Sequence, residues 1–152
     1  MMMLNEKTKA IQEHISGIIE FSDRELDMID RAIREIHEEC PTDVPLLVKK
    51  SQSLILAGDD LYWIINVISR KHARMKSDIY RLKDPKFTAL SRGGRPSSAA
   101  IEAEIRFTTD GVYKMEEDYE NVGSLLDYLR VLSSMLDKYS WIIKDKLSVA
   151  KL

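Results

Sequence analysis

Apolar residues recur at steps of seven through the middle of the chain, and this repeat constrains the fold more than any other feature. The repeat comprises Leu47, Leu54, Leu61, Ile68, Met75 and Leu82, with Ala57, Ile64, Ile65 and Ile79 at neighbouring positions. Side chains at this spacing share one face of an α-helix and form the seam of a coiled coil. Because Asp43 suits a helix start and Asp84 with Pro85 suits a helix end, the pattern predicts one helix of about 40 residues, roughly 60 Å long.

Two short amphipathic helices are predicted before this long helix. Ser22 and Glu25 have the spacing of a capping box, in which each side chain binds the backbone N–H of the other residue. The helix that begins there is expected to end just after Cys40, because Pro41 comes next. Residues 1–42 are therefore expected to form an N-terminal helical extension.

The segment after the long helix has a different composition. Residues 85–98 contain two prolines, two adjacent glycines and three serines, which predicts a basic loop. Ser97 or Ser98 is expected to cap a helical stretch. After a short break, a last long helix is expected to begin near Val112.

Together these segments predict an all-α fold. A chain of 152 residues has the length of one domain, and its 6 glycines and 4 prolines are too few for an all-β sandwich. The expected architecture is a single helical domain. In it, residues 43–152 form a long antiparallel helical hairpin, similar to a coiled coil, with its turn in the basic loop 85–98.

The sequence argues against a membrane protein or a secreted one. The longest uncharged stretch in the apolar region, between Asp60 and Arg70, holds nine residues, whereas a membrane helix needs about 20. The first ten residues lack the order of a signal peptide, and the single Cys40 fits a reducing compartment. A soluble, cytoplasmic protein is therefore predicted.

Signatures of enzyme chemistry are scarce. The chain has no phosphate-binding loop, no dinucleotide fingerprint and no HExxH zinc motif. His37 and Cys40 are three residues apart, but a zinc site needs three or four protein ligands, so neither a metal nor a cofactor is predicted. Acidic clusters such as Glu116, Glu117 and Asp118 are interpreted as solvated helix faces. We therefore expect a protein that is not an enzyme.

Positive charge is concentrated in one band of an otherwise acidic chain. Residues 70–95 carry nine basic and two acidic side chains, a balance of +7. Residues 1–69 carry seven basic and 13 acidic side chains, and residues 96–152 carry seven and ten, so these segments have balances of −6 and −3. Such an asymmetry indicates a localised contact with a polyanion.

Part of this band forms a stripe on the long helix. At 100° per residue, Arg70, Arg74 and Arg81 fall within 40° of one another, opposite the apolar seam; we call these three residues the basic stripe. Basic side chains beside an aromatic ring on which a base can stack are typical of single-stranded DNA binding. The candidate DNA-binding residues are Arg70, Lys71, Arg74, Lys76, Tyr80, Arg81, Lys83, Lys86, Arg92 and Arg95. The alternative is that the charges serve solubility and that Tyr80 or Phe87 completes the core.

The chain resembles the UvsY-type recombination mediators of tailed phages, over roughly residues 60–147. The resemblance rests on KHARM at 71–75 with Tyr80, SRGGR at 91–95, Tyr113 with Lys114, and LLDYL at 125–129. It implies a small helical protein that helps load a RecA-like recombinase onto single-stranded DNA covered by single-strand-binding protein. It also implies a homo-oligomeric ring, a place in the host cytoplasm, and DNA contacts at Lys71 and Arg74, with Arg70 beside them.

Surplus apolar residues independently predict self-association. They are Tyr62 and Trp63 on the long helix and Leu125, Leu132, Tyr139 and Trp141 on the last helix. A two-helix seam uses only two of every seven positions, so these side chains need the N-terminal helices or another subunit. The same features leave open a different class of function, a coiled-coil structural or scaffold protein of a phage particle or other assembly, in which the basic loop is a packing surface.

Overall fold

A computed structural model describes residues 4–92, 97–109 and 111–150, and over these residues the chain contains α-helices and no strand. The helices are α1 (Glu6–Ile15), α2 (Asp23–His37), α3 (Val44–Arg92), α4 (Ser98–Thr108) and α5 (Val112–Ala150). The predicted all-α class is confirmed, and α3 packs against α5 as a hairpin.

Local sequence accounts for most of the helix boundaries. The Ser22 hydroxyl accepts from the N–H of Glu25 at 3.2 Å, and the Glu25 carboxylate accepts from the N–H of Ser22 at 3.0 Å, so the predicted capping box is confirmed. Ser97 caps α4 by accepting from the N–H of Ala100 at 3.2 Å. Gly111 has a φ of +83°, which glycine adopts easily, and provides the turn between α4 and α5.

Two predicted helix ends are wrong. Helix α2 ends at His37, three residues before Cys40. Helix α3 continues through Pro85 to Arg92, so the predicted end at Asp84 is incorrect and residues 85–92 of the predicted loop are helical; residues 93–96 of that loop lie outside the described residues. A proline inside a helix lacks one N–H donor and costs about 3 kcal/mol. Phe87 and Leu90 follow Pro85 in the same helix, and both are half-buried.

The chain divides into two compact units. We call Met1–Val67 with Leu125–Leu152 the core unit, and Ile68–Ser124 the basic unit. Both long helices contribute to both units. The antiparallel pairing of α3 and α5 is visible within each unit, since Lys50 lies over the ring of Tyr139 in the core unit and His72 stacks on Tyr119 in the basic unit.

The core unit contains most of the buried apolar side chains. The fully buried residues include Ile29, Ala32 and Ile33 of α2, Ala57, Leu61 and Ile64 of α3, and Leu129 and Ile143 of α5. Helix α2 is therefore part of the same core as the hairpin.

A buried polar cluster joins α1 to α2 in the core unit. Asp30 accepts hydrogen bonds from the N–H of Asn5 at 2.6 Å, the Thr8 hydroxyl at 2.9 Å and Arg34 Nε at 2.5 Å. Burial alone would raise the pKa of Asp30, but these hydrogen bonds outweigh burial and lower the pKa. The ionised carboxylate therefore stabilises the packing of α1 on α2.

A second polar cluster joins α2 to α3. Lys50 is buried, and its Nζ donates to the Glu35 carboxylate at 2.6 Å and to the Glu38 carboxylate at 3.1 Å. Burial alone would lower the pKa of Lys50, but the two carboxylates outweigh it and raise the pKa. In addition, the Tyr139 hydroxyl donates to the Glu38 carbonyl at 3.0 Å, which ties α5 to the end of α2.

The predicted heptad seam changes its residues along α3. Leu47, Leu54, Leu61 and Ile68 are buried, whereas Met75 is half-buried and Leu82 is 39 % exposed. Seven residues fall about 20° short of two full turns in a straight helix, so a strict heptad row rotates by about 100° over five repeats. By Leu82 the row has left the seam, and the seam position has passed to Ile79, which is buried.

Candidate nucleic-acid interface

The basic stripe is exposed and has no partners among the described residues. Six of the nine basic candidate residues are exposed and form neither an ion pair nor a hydrogen bond there: Arg70, Lys71, Arg74, Lys76, Arg81 and Arg92. Elsewhere on the described chain, many charged side chains pair with a neighbour, for example Arg31 with Asp27. Unpaired guanidinium groups at fixed positions on a helix are available for phosphate.

The aromatic candidate, Tyr80, is also exposed. Its side chain is 65 % accessible, so the alternative that Tyr80 completes the core is wrong, whereas Phe87 is half-buried. Tyr80 directly precedes Arg81 on α3, which places its ring about 100° around the helix from the stripe. A flat exposed ring beside arginine side chains can stack on an unpaired base.

Two predicted contact residues are already engaged. Lys83 forms an ion pair with Glu116, and only 23 % of its side chain is exposed. Lys86 Nζ donates to the hydroxyl of the buried Thr109 at 3.0 Å. Both lysines therefore bind α5 or the turn before it, although Lys86 remains exposed. Arg95 lies outside the described residues.

Glu116 is the centre of an ion-pair cluster that sequence reasoning missed. Its carboxylate accepts from Lys83 and, at 2.7 Å, from Arg106 Nε, and its side chain is only 14 % exposed. Burial alone would raise the pKa of Glu116, but the hydrogen bonds from Lys83 and Arg106 outweigh it and lower the pKa. The expectation of a solvated acidic face is wrong for this residue. No local spacing signals the cluster, because its members lie on three helices.

His72 fixes the position of the KHARM segment on the hairpin. Its ring stacks on Tyr119 at a centroid distance of 4.0 Å and an angle of 7°, and its Nε2 lies 3.1 Å from the Tyr119 carbonyl oxygen. A Cβ at Gly123 would lie 3.2 Å from His72 Nε2, so glycine leaves room for the imidazole. With His72 directed towards α5, the neighbouring Lys71 and Arg74 are exposed.

A groove of about 510 Å³ lies within the basic unit, between α3, α4 and α5. Its apolar lining includes the buried Ile79 and Ile105, with the rings of Tyr80, Phe87 and Tyr119. Its charged lining includes the Glu116 cluster, Lys76, and the carboxylates of Asp84, Glu102 and Glu120. Lys76 and Tyr80 are thus both candidate DNA-binding residues and groove residues.

Neither a metal cluster nor a membrane-spanning helix is found in the part of the chain that the structure describes. No group of three or more His, Cys, Asp and Glu side chains there could hold a metal ion. None of the helices there combines the length and the apolar character needed to cross a membrane.

No model of a protein family, no curated protein sequence and no solved structure matches this chain. The function is therefore inferred from the geometry of the basic unit together with the resemblance of the sequence segments.

Proposed function

We propose that this protein binds single-stranded DNA through the basic stripe and acts as a recombination mediator, which loads a RecA-like recombinase onto DNA covered by single-strand-binding protein. The observation that carries the proposal is a row of exposed, unpaired arginines, Arg70, Arg74 and Arg81, with Tyr80 beside it. This geometry supports DNA binding, and the resemblance supports the mediator role.

The stripe suits a strand that runs along α3. Arg70 and Arg81 are separated by eleven residues, or about 16 Å of helix, which spans several nucleotides. Each cation can therefore meet a different phosphate, and neutralising phosphates releases the counterions that the strand had condensed. Binding of this kind is independent of sequence and sensitive to salt.

The exposed ring favours a single strand over a duplex. In a duplex the bases stack on one another, so a ring beside the phosphate contacts meets no free base. In a single strand a base can turn towards Tyr80 and stack on it, which contributes about 1–3 kcal/mol. We therefore expect the protein to prefer single-stranded DNA to duplex of the same sequence.

The exposed apolar side chains of the core unit support self-association, which the mediator role requires. Among the six surplus apolar residues, Leu125 and Leu132 are buried and Tyr139 is half-buried, whereas Tyr62, Trp63 and Trp141 remain exposed. Two further exposed rows have a step of seven: Val48, Ile55 and Tyr62 on α3, and Met135, Ile142 and Val149 on α5. Rows with the period of a coiled-coil seam suit another helix, and we assign them to a second copy of this chain. Several stripes in one oligomer would hold one strand by multivalent contact.

Light scattering tests the oligomer. We expect a mass that is a multiple of 17.5 kDa at micromolar concentration. Replacing Ile55 and Ile142 together by lysine should reduce the mass to that of one chain while the helical circular dichroism is retained. A wild-type mass of 17.5 kDa would refute self-association.

A scaffold protein is the second candidate, and the two outward apolar rows are the observation that favours it. The two candidate functions predict different results in one simple measurement. That measurement is the affinity of the purified protein for a labelled single-stranded oligonucleotide across a salt series. A mediator binds with an affinity that falls steeply as salt rises, and it accelerates assembly of a recombinase filament on covered DNA. An oligomer that does not bind DNA at low salt would favour the scaffold.

A further inference from the structure

The groove of the basic unit has the dimensions and the lining of a ligand site. Its volume of about 510 Å³ lies within the range of roughly 300–1,000 Å³ that small-molecule sites occupy. It is larger than one nucleobase, so a base could enter together with part of its sugar. The rings of Tyr80 and Phe87 provide aromatic surface on α3, and Tyr119 provides it on α5.

The groove shares two exposed lining residues with the candidate DNA contacts. Lys76 and Tyr80 line the groove, and Lys76 is one of the exposed cations without a partner among the described residues. Tyr80 is adjacent to Arg81 of the stripe. Tyr80 lies about 80° around the helix from Arg70, so a base of a strand held by the arginines can turn past Tyr80 into the groove.

The charges of the groove select what can enter. Glu116 is neutralised by Lys83 and Arg106, so this cluster offers no free acceptor. The carboxylates of Asp84, Glu102 and Glu120 are different, because they form no ion pair or hydrogen bond with the described residues, and all three are exposed. Three carboxylates repel a phosphate, but they accept hydrogen bonds from a neutral ligand that donates.

We propose that this groove is a nucleobase subsite that favours cytosine, the pyrimidine with an exocyclic amino group, over thymine. The proposal rests on the proposed single-stranded DNA binding and adds base selectivity to it. The N4 amino group of cytosine donates to a carboxylate, whereas thymine has a carbonyl oxygen at the same place, which a carboxylate repels. Because the groove shares Lys76 and Tyr80 with the candidate strand contacts, a base fits it better than the arginine side chain of a protein partner.

The test compares two pyrimidine oligonucleotides of equal length, oligo-dC and oligo-dT, by fluorescence anisotropy with the full chain. We expect the wild-type protein to bind oligo-dC about five- to ten-fold more tightly, the lower end of the discrimination that one carboxylate–amino contact provides. Replacing Glu102 and Glu120 together by glutamine should bring the two affinities within about two-fold, because a glutamine amide can donate to thymine as well as accept from cytosine.

A matched control comes from the same two helices. Glu104 on α4 and Glu117 on α5 are exposed and do not line the groove. The Glu104→Gln, Glu117→Gln variant has the same net charge as the groove variant, so it should keep the preference for oligo-dC. Both variants should keep the wild-type salt dependence, because the arginine stripe is unchanged.

Failure of the subsite and failure of the proposed function give different results. Equal wild-type affinities for oligo-dC and oligo-dT, with strong salt dependence, reject the subsite and leave DNA binding intact. If the groove variant keeps the preference for oligo-dC, the subsite is also rejected, because the atoms that distinguish cytosine from thymine then lie outside the groove. If neither oligonucleotide binds, the proposed function itself fails. If the groove variant loses affinity for a labelled hexa-arginine peptide while its DNA binding is unchanged, the groove is a site for a basic protein segment instead.

Discussion

The core unit and the basic unit use charged side chains in opposite ways. In the core unit, Asp30 and Lys50 are buried, and each binds partners on another helix. In the basic unit, Arg70, Arg74 and Arg81 lie exposed on one helix face with no partner among the described residues. Paired charges contribute to the fold, whereas exposed unpaired ones are available to a ligand. The comparison indicates where substitutions should change stability and where they should change binding.

Apolar burial follows the same division. Within the described residues, the basic unit buries only the apolar side chains Ile68, Ile79, Ile101, Ile105, Val112 and Val122, whereas the core unit buries the rest. A unit with few buried side chains depends more on individual ion pairs and on helix propensity. We therefore expect Glu116 and Pro85 to affect the basic unit more than comparable surface residues affect the core unit.

The largest effect on stability should come from Lys50. Replacing Lys50 by methionine leaves the largely buried Glu35 carboxylate without its partner, and breaking such a pair costs about 3–5 kcal/mol in the free energy of unfolding. Urea unfolding followed by circular dichroism measures the change. Lys49→Met is the matched control, since Lys49 is exposed and should contribute less than about 0.5 kcal/mol. Equal effects of the two substitutions would contradict the role of the Lys50 cluster.

Pro85 should have the next largest effect, in the stabilising direction. Pro85→Ala restores a backbone donor in the interior of α3, and we expect the free energy of unfolding to rise by about 1–3 kcal/mol. Pro45 provides the comparison, because it lies in the first turn of α3, where the missing N–H costs little. Pro45→Ala should therefore change stability much less, as thermal unfolding of the two variants can show. A destabilised Pro85→Ala protein would mean that α3 needs a helix break at this position.

Acid should weaken both units for the same reason. The pKa of Asp30 is lowered from 3.8 and that of Glu116 is lowered from 4.5, so the unfolded state binds protons more readily. The stability from each group is present above its unfolded pKa and is lost as pH falls through the lower folded pKa. Unfolding experiments between pH 6 and pH 2 should show this loss. The Glu116→Gln variant should be less stable near neutral pH, and its free energy of unfolding should depend less on pH in the acid range. An unchanged pH dependence of the free energy of unfolding would contradict the role of the Glu116 cluster.

Asp78 should produce the smallest effect, and it should strengthen binding. Asp78 is an exposed acidic residue four positions after Arg74 and three before Arg81 on α3. Its charge repels phosphate and reduces the positive potential of the stripe. Asp78→Asn should therefore lower the dissociation constant for single-stranded DNA by about two- to five-fold at low salt. Fluorescence anisotropy titrations measure this dissociation constant. Weaker DNA binding by the Asp78→Asn variant would mean that the strand does not lie along this face of α3.

The sequence predicted the helices better than it predicted their tertiary partners. The capping box at Ser22 and the cap at Ser97 are local signals, and both are confirmed. The predicted end at Pro85 is wrong, since α3 continues to Arg92 with Phe87 half-buried at the groove, and a local helix-breaking preference carries no information on such tertiary contacts. For the site, helical spacing correctly placed the arginines away from the seam, but it could not reveal that Lys83 meets Glu116. That contact depends on the register of α3 against α5, which no local pattern specifies.

The salt dependence of DNA binding tests the central claim most directly. Each phosphate contact with a single strand contributes about 0.7 to the slope of log affinity against log salt, so replacing Arg70, Lys71 and Arg74 together by alanine should lower the slope by about two units per subunit. The matched control replaces Lys9, Arg24 and Lys49, three exposed cations of the core unit, and it should leave the slope near the wild-type value. Circular dichroism and light scattering should show both variants folded and of wild-type mass. A slope that is unchanged in the stripe variant, or reduced equally in both, would contradict the account.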